Sequence, residues 1–384
     1  MRFFDIFKKT KSEKSIPKKF EQNSKIAQNI TPFHNIPDYA RNKESALFAE
    51  ELYAKALSEI KLISNNTISN ISCDKEIFSI PEIIKLVKNG NSDILALAYL
   101  STKYVYFYGH CVNVCIFSIF LGHGLGLSDA KLEVLGLCAM LHDIGMIKVM
   151  NIALKKSKLK QKEREELSKH KQYGQEILKS LLFIPDETRK FLTDLMDEIE
   201  LYKKDPTLVK SSRQSDLYKF SRIIAICNIY EAITHPRVFR ERFLPYHALK
   251  TWQVTTQSQI EDQSLSAHSA LRKMISSSKH DFDSEIVKVF INKISLYPPG
   301  SYVRLNTDEI ARVIETNAGM PTRPIVRLVL DKNSQRPLDF RVDDLSNNKM
   351  LFIKEAVDET NLNVSDSCIM QELSESRWWN KNIN

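Results

Sequence analysis

Four things are missing from this chain of 384 residues. It has no uninterrupted apolar run of the roughly 18 residues that a membrane-spanning helix needs. The most apolar stretch, Val112 to Leu127, is broken by His123 and by glycines. Met1 to Lys19 has no long apolar core ahead of its lysines, which argues against a signal peptide. The six cysteines (Cys73, Cys111, Cys115, Cys138, Cys227 and Cys368) form no CxxC pair. They read as small buried hydrophobes in a reducing compartment, although Cys111 and Cys115, spaced i, i+4 beside His110, mimic a metal pair. The interleaving of aromatic and basic residues that marks a nucleic-acid surface is absent as well. A cytoplasmic protein is expected.

What is present is ordinary globular material: 43% hydrophobic and 27% charged residues, with length enough for two or three domains. The net charge of +8 is uneven, much of its excess lying between Met1 and Lys25. Residues 1–44 therefore read as a basic leader and linker, a solvated tail whose MRFFDIFKK start offers weak contact with anionic lipid. Residues 45–93 read as an N-terminal helical segment, with apolar residues at helical spacing from Glu44 to Ile63 and again in IPEIIKLVKNG. Helices continue across Asp93 to Leu127 (two, or one bent), Asp129 to His142, Gln161 to Leu182 closed by Pro185, Phe220 to Thr234, and Ser284 to Ser295. After Tyr297 the texture changes. PPGSYVRL, Thr307 to Thr316 and PIVRLVLD alternate and are β-branched, so residues 300–384 read as a small strand-containing portion with an unassigned tail that includes Trp378 and Trp379.

The stretch that organises this chain is LGLCAMLHDIG, Leu135 to Gly145. A histidine and an aspartate end an otherwise apolar helical run, and burying them is costly unless each has a partner. On a helix His142 and Asp143 lie about 100° apart, so both can reach one cation. A hydrogen-bonded pair in a core is the alternative.

Several blocks in order, YVYFYGHCVNV, LHDIG, KLKQKEREELSKHKQYGQEIL, FSRIIAICNIYEAITHPRVFRERF and FDSEIVKVFINKISLYPPGSYVRL, resemble the HD-GYP proteins, a branch of the HD phosphohydrolases. The resemblance runs from about Ile94 to Asp331. It implies a mainly α fold, an HD-type helical bundle over 94–299 flanked by the helical N-terminal extension and the strand-containing C-terminal portion. It also implies a metalloenzyme that hydrolyses cyclic di-GMP with two or three iron, manganese or similar ions. By that resemblance His110, His142, Asp143 and His170 are metal ligands, and Asp143, bridging metals, is the catalytic position. Imidazole and carboxylate together hold divalent cations, whose bound water becomes a nucleophile near neutral pH.

The chain departs from the family in four features, at three places. Met146 stands where a phosphate-holding lysine follows the HD pair, and Lys148 would point elsewhere. DLMDEIELYKKDPTLVKSSRQSDLYKF, where adjacent histidines and the GYP loop are expected, contains no histidine and no glycine. The last ligand aspartate is Asn228, and the next acidic position is Glu231; both are expected to cap or hydrogen-bond locally. Asp197, Glu198 or Glu200 are candidate substitute ligands, and Arg237, Arg240 and Arg242 either engage phosphate or pack in a turn with His235. Two readings follow. In the first, a degenerate HD-GYP protein has lost diesterase activity and serves as a binding or regulatory module for cyclic di-GMP, a related nucleotide or protein partners. In the second, His110, His142, Asp143 and His170 hold at least one ion, iron or manganese, in a working phosphohydrolase with a reduced site, where Asp143 or Glu198 orients the attacking water. If the four residues are only packed relics, there is no cofactor.

Overall fold

The computed structural model describes residues 43–357, apart from 235–282 and short breaks at 70, 74–76, 92, 100–105, 156–158, 205–210, 318 and 338–340, together with Leu362 and Val364. The basic leader, His235 and the three arginines after it, Cys368 and the Trp378–Trp379 pair lie outside the described residues.

The helical body is built around one helix. Helix α4 (Tyr106–Gly124) is apolar on all sides, and from Cys111 to Phe117 every residue is buried. A helix of that kind needs neighbours all round. It obtains them from α1 (Lys43–Ile68), α2 (Ser79–Lys88), α3 (Asp93–Ala98), α5 (Asp129–Leu141), α10 (Asp216–Thr234) and α11 (Ser284–Ile294). Helix α1 presents Ala49, Leu52, Tyr53, Ala56, Ile60 and Ile63, one stripe at i, i+3 and i+4, so the N-terminal extension shares the core of the bundle. Five of the six cysteines are free thiols buried in these helices and loops, consistent with their reading as small hydrophobes.

The structure alters two expected boundaries. After α5 ends at Leu141 the chain leaves α geometry at Asp143 (φ −115°, ψ 19°) and continues as a 3-10 helix, Ile144–Val149, followed by the single turn α6 (Met150–Ala153). The segment expected as one helix from Gln161 to Leu182 is two, α7 (Gln161–Ser168) and α8 (His170–Ser180), separated at Lys169. Helix α7 buries no residue, so packing does not hold it in line with α8, which follows its own buried stripe of Gly174, Ile177 and Leu178. A further helix, α9 (Asp186–Lys204), was not anticipated and packs along α10 and α8. Its signals are present: Pro185 before the start, Asp186 and Glu187 in the first turn, and Leu192, Leu195, Met196 and Ile199 at helical spacing.

The C-terminal strands form one antiparallel sheet in the order β4-β3-β2-β1-β5. Strands β1 (Tyr302–Leu305), β2 (Ile310–Glu315) and β3 (Ile325–Leu330) match the alternating segments of the sequence. The edge strands β4 (Val342–Asp344) and β5 (Ile353–Val357) escaped the sequence reading, because one is short and polar and the other carries Lys354 and Glu355 at its exposed positions. Val303, Leu305, Ala311, Val313 and Ile353 belong to the same apolar cluster as the helices, so the sheet is packed on the body.

One close approach sets the geometry between the HD turn and α8. A Cβ at Gly145 would overlap the carbonyl oxygen of His170 and the backbone nitrogen of Gly174. Only a residue without a side chain lets the 3-10 helix lie directly on the first turn of α8. Gly145→Ala must push these backbones apart. We expect a loss of about 3 kcal/mol in unfolding free energy, read by urea denaturation, together with displacement of His170 from Asp143.

Candidate metal centre

The site is assembled from three helix positions that the backbone brings to one point. His110 comes from the second turn of α4, a polar residue in an apolar helix, and is 3% exposed. His142 caps the C-terminus of α5, with Asp143 immediately after it where the helix gives way to the 3-10 turn. His170 opens α8, held against that turn by the Gly145 contact.

Each imidazole is anchored through Nδ1. His110 Nδ1 donates to Glu231 Oε2 at 2.5 Å, His142 Nδ1 to the Ala139 carbonyl at 2.7 Å, and His170 Nδ1 to the Leu167 carbonyl at 2.9 Å. This pattern turns every Nε2 toward the same carboxylate. Asp143 Oδ2 lies 3.4 Å from His142 Nε2 and 3.7 Å from His110 Nε2, while its Oδ1 is 4.0 Å from His170 Nε2. Two ligands at about 2.1 Å from a tetrahedral ion stand about 3.4 Å apart, so these separations fit atoms around one divalent cation better than direct hydrogen bonds. Ring nitrogens held from behind by carbonyl or carboxylate acceptors are the usual outer support of metal-binding histidines. His110, His142 and Asp143 offer ligand atoms all within 4.8 Å of one another; His170 stands at the margin of that group.

The electrostatics centre on His110. Burial works against its charged form, but the carboxylates of Glu231 and Asp143 outweigh that penalty and raise its pKa to about 9. Without a cation in place, the ring is protonated at neutral pH and serves as counter-ion to Glu231, which has no solvent exposure.

Asn228 and Glu231 were expected to hydrogen-bond locally, and here the structure corrects the sequence. Both reach across to other helices. Glu231 pairs with His110 on α4, and Asn228 Nδ2 donates to His142 Nε2 at 3.0 Å. They lie three residues apart on α10 and share one face, directed at the histidines. Sequence reasoning had no signal for this because it depends on how α10 packs beside α4.

The other departures are placed as well. Met146 packs against the core, and the exposed Lys148 donates to the Thr67 carbonyl at the end of α1, away from the histidines. Asp197 is engaged by Lys171 (2.9 Å) and Gln175 (3.1 Å). Glu198 is buried and accepts a hydrogen bond from the Ser211 hydroxyl, and Glu200 is half-buried on the same helix. Among the described residues, none of these three carboxylates joins the close group of ligand atoms.

Comparison with known proteins gives the constellation its context. The HD domain family matches residues 107–232, which span His110, His142, Asp143, His170, Asn228 and Glu231, and the KOW domain associated with HD domain matches residues 302–365, the sheet. The chain is 27% identical over 271 residues to the cyclic di-GMP phosphodiesterase PA4108 of Pseudomonas aeruginosa, covering 69% of this chain and 58% of that protein. It is 24% identical over 234 residues to the cyclic di-GMP phosphodiesterase PdeB of Borreliella burgdorferi, covering 59% of this chain and 54% of that protein. The chain thus spans little more than half the length of these relatives. Among solved structures, Bd1817, an HDG"Y"P protein from Bdellovibrio bacteriovorus, aligns with a TM-score of 0.43 at 15% identity over 71% of this chain and 79% of its own. No helix among the described residues is long and apolar enough to cross a membrane. The chain thus carries an HD domain over residues 107–232 and is similar to two cyclic di-GMP phosphodiesterases.

Proposed function

We propose that this chain is a cyclic di-GMP signalling protein whose HD site holds a single divalent cation, iron or manganese, and no longer performs the parent phosphodiester hydrolysis, so that it acts as a binding and regulatory module. One observation carries this reading: the neutral amide of Asn228 faces His142 where the resemblance places an aspartate, so the site offers no anionic oxygen there to hold a second ion. His110, His142, Asp143 and His170 supply three imidazoles and one carboxylate, enough for one ion. The absence of histidine between Asp194 and Phe220 leaves that region without imidazole donors for a second ion, and Met146 offers no ammonium to phosphate. A bound cation would lend positive charge to a phosphodiester oxygen. Asp143 contributes the anionic ligand, and its side chain, 19% exposed, is open to solvent together with that of His170, 20% exposed.

A second reading, a one-metal phosphohydrolase, draws support from the same three anchored rings. Three protein ligands with an open position suffice for hydrolysis at a single ion. Under it Asp143 orients the attacking water. The two readings share the cation and differ in turnover.

Elemental analysis after anaerobic purification should find one ion per chain, lost in His142→Ala. Cyclic di-GMP should bind without conversion over hours; release of a linear dinucleotide at a steady rate would replace the first reading by the second. Asn228→Asp, by restoring an anionic oxygen, should tighten metal binding roughly tenfold, measured by competition with a chelating dye. Because a proton must leave His110 before its Nε2 can bind the ion, the affinity for manganese should climb as pH rises toward about 9 and then level, with one proton released per ion bound near pH 7.

A further inference from the structure

The anchoring of His110 does not stop at Glu231. The second oxygen of that carboxylate, Oε1, accepts from Asn113 Nδ2 at 3.4 Å, and Asn113 Oδ1 accepts from the Tyr53 hydroxyl at 2.8 Å. All four residues are buried: Tyr53 is 4% exposed, Asn113 and Glu231 0%, His110 3%. The chain of contacts runs from α1 through α4 to α10 and back to α4. Its polarity is determined at each step. Burial, and then the Glu231 carboxylate, push the Tyr53 phenol well above its usual pKa, so its hydroxyl stays a donor. An amide whose oxygen accepts from that hydroxyl must present N–H to Glu231. Glu231, with one oxygen so occupied, directs the other at His110 Nδ1.

We propose that Tyr53, in the N-terminal extension and outside the matched HD domain, is a positioning residue for His110, acting through Asn113 and Glu231. The inference concerns how the ring is held, and its bearing on a cation rests on the function proposed above. It assigns the N-terminal helix a part in the site. Without the hydroxyl, the Asn113 amide is free to rotate, Glu231 loses its second tether, and the imidazole loses the constraint that keeps Nε2 facing Asp143.

The test uses the full chain and two readouts. The first needs no metal: with 15N-labelled histidine, the Nδ1–H resonance of His110, strongly downfield because of its short bond to Glu231, is followed in the wild type, in Tyr53→Phe and in Ser64→Ala. Ser64 is the control, a buried hydroxyl on the same helix that meets Tyr108 of α4 at 3.3 Å but lies off the chain of contacts. The second readout is the Kd for Mn2+. Tyr53→Phe should move the His110 resonance and weaken Mn2+ binding about threefold or more, with a helical spectrum like that of the wild type, while Ser64→Ala leaves both unchanged. If Tyr53→Phe unfolds, the double variant Tyr53→Phe/Asn113→Leu, which replaces both partners by apolar groups, keeps the same expectation. An unmoved resonance, or equal movement in Ser64→Ala, overturns the inference. If the wild type binds no Mn2+, the proposed function fails, and the resonance alone still decides the role of Tyr53.

Discussion

A carboxylate with no access to water, Glu231, imposes the condition that the rest of the site satisfies. An unpaired charge at that depth costs several kcal/mol, so the fold must bring it a cation or a full set of donors. It brings both. The His110 ring sits on one oxygen and the Asn113 amide on the other, each presented by α4. The packing of α10 against α4, the central contact of the bundle, is therefore specified by polar as well as apolar complementarity: a sliding of one helix by a turn would leave Glu231 unpaired. The same pairing keeps His110 oriented, so the constraint that stabilises the helix pair also places the ligand nitrogen.

The remaining members of the site are placed by backbone devices that owe nothing to Glu231. Asp143 reaches the histidines because α5 ends one residue before His142 and the chain bends there. His170 arrives because Gly145 has no side chain to keep α8 away. Each ring then finds a carbonyl or carboxylate behind it. Three independent devices converge on one carboxylate, and none of them involves α9.

Much of this was legible in the sequence. An all-apolar helix with a histidine, an apolar run ending in HD, and alternation after Tyr297 are local patterns, and local patterns survive folding. His142 and Asp143 were expected side by side on one helix; the structure reaches the same convergence through a break, which spacing alone cannot distinguish from continued helix. Glu231 and Asn228 were misread because their partners lie 121 and 86 residues away. Asn113 and Tyr53 carried only a faint signal, a polar residue in an apolar run and a tyrosine on an apolar stripe, since a buried hydrogen-bond chain becomes visible only when helices from both ends of the domain are in register. Helix α9 carries its pattern in the sequence, but Pro185 reads equally as the close of the preceding helix, so the start is ambiguous.

The replacement at Asn228 can be weighed by charge. Three imidazoles facing Asp143, with Glu231 behind one of them, make a site with two carboxylates, one of which is already matched by His110 when that ring is protonated. A single dication that displaces the His110 proton leaves the cluster near electrical balance. Two dications in the same volume would repel each other strongly at low local dielectric unless further anions were supplied. An aspartate at position 228 would supply one at the face of His142; an asparagine supplies a neutral amide instead, which adds no negative charge. Under the proposed reading the substitution would act on the number of ions through Coulomb energy, while Glu231, three residues further along the same helix face, keeps its pairing with His110.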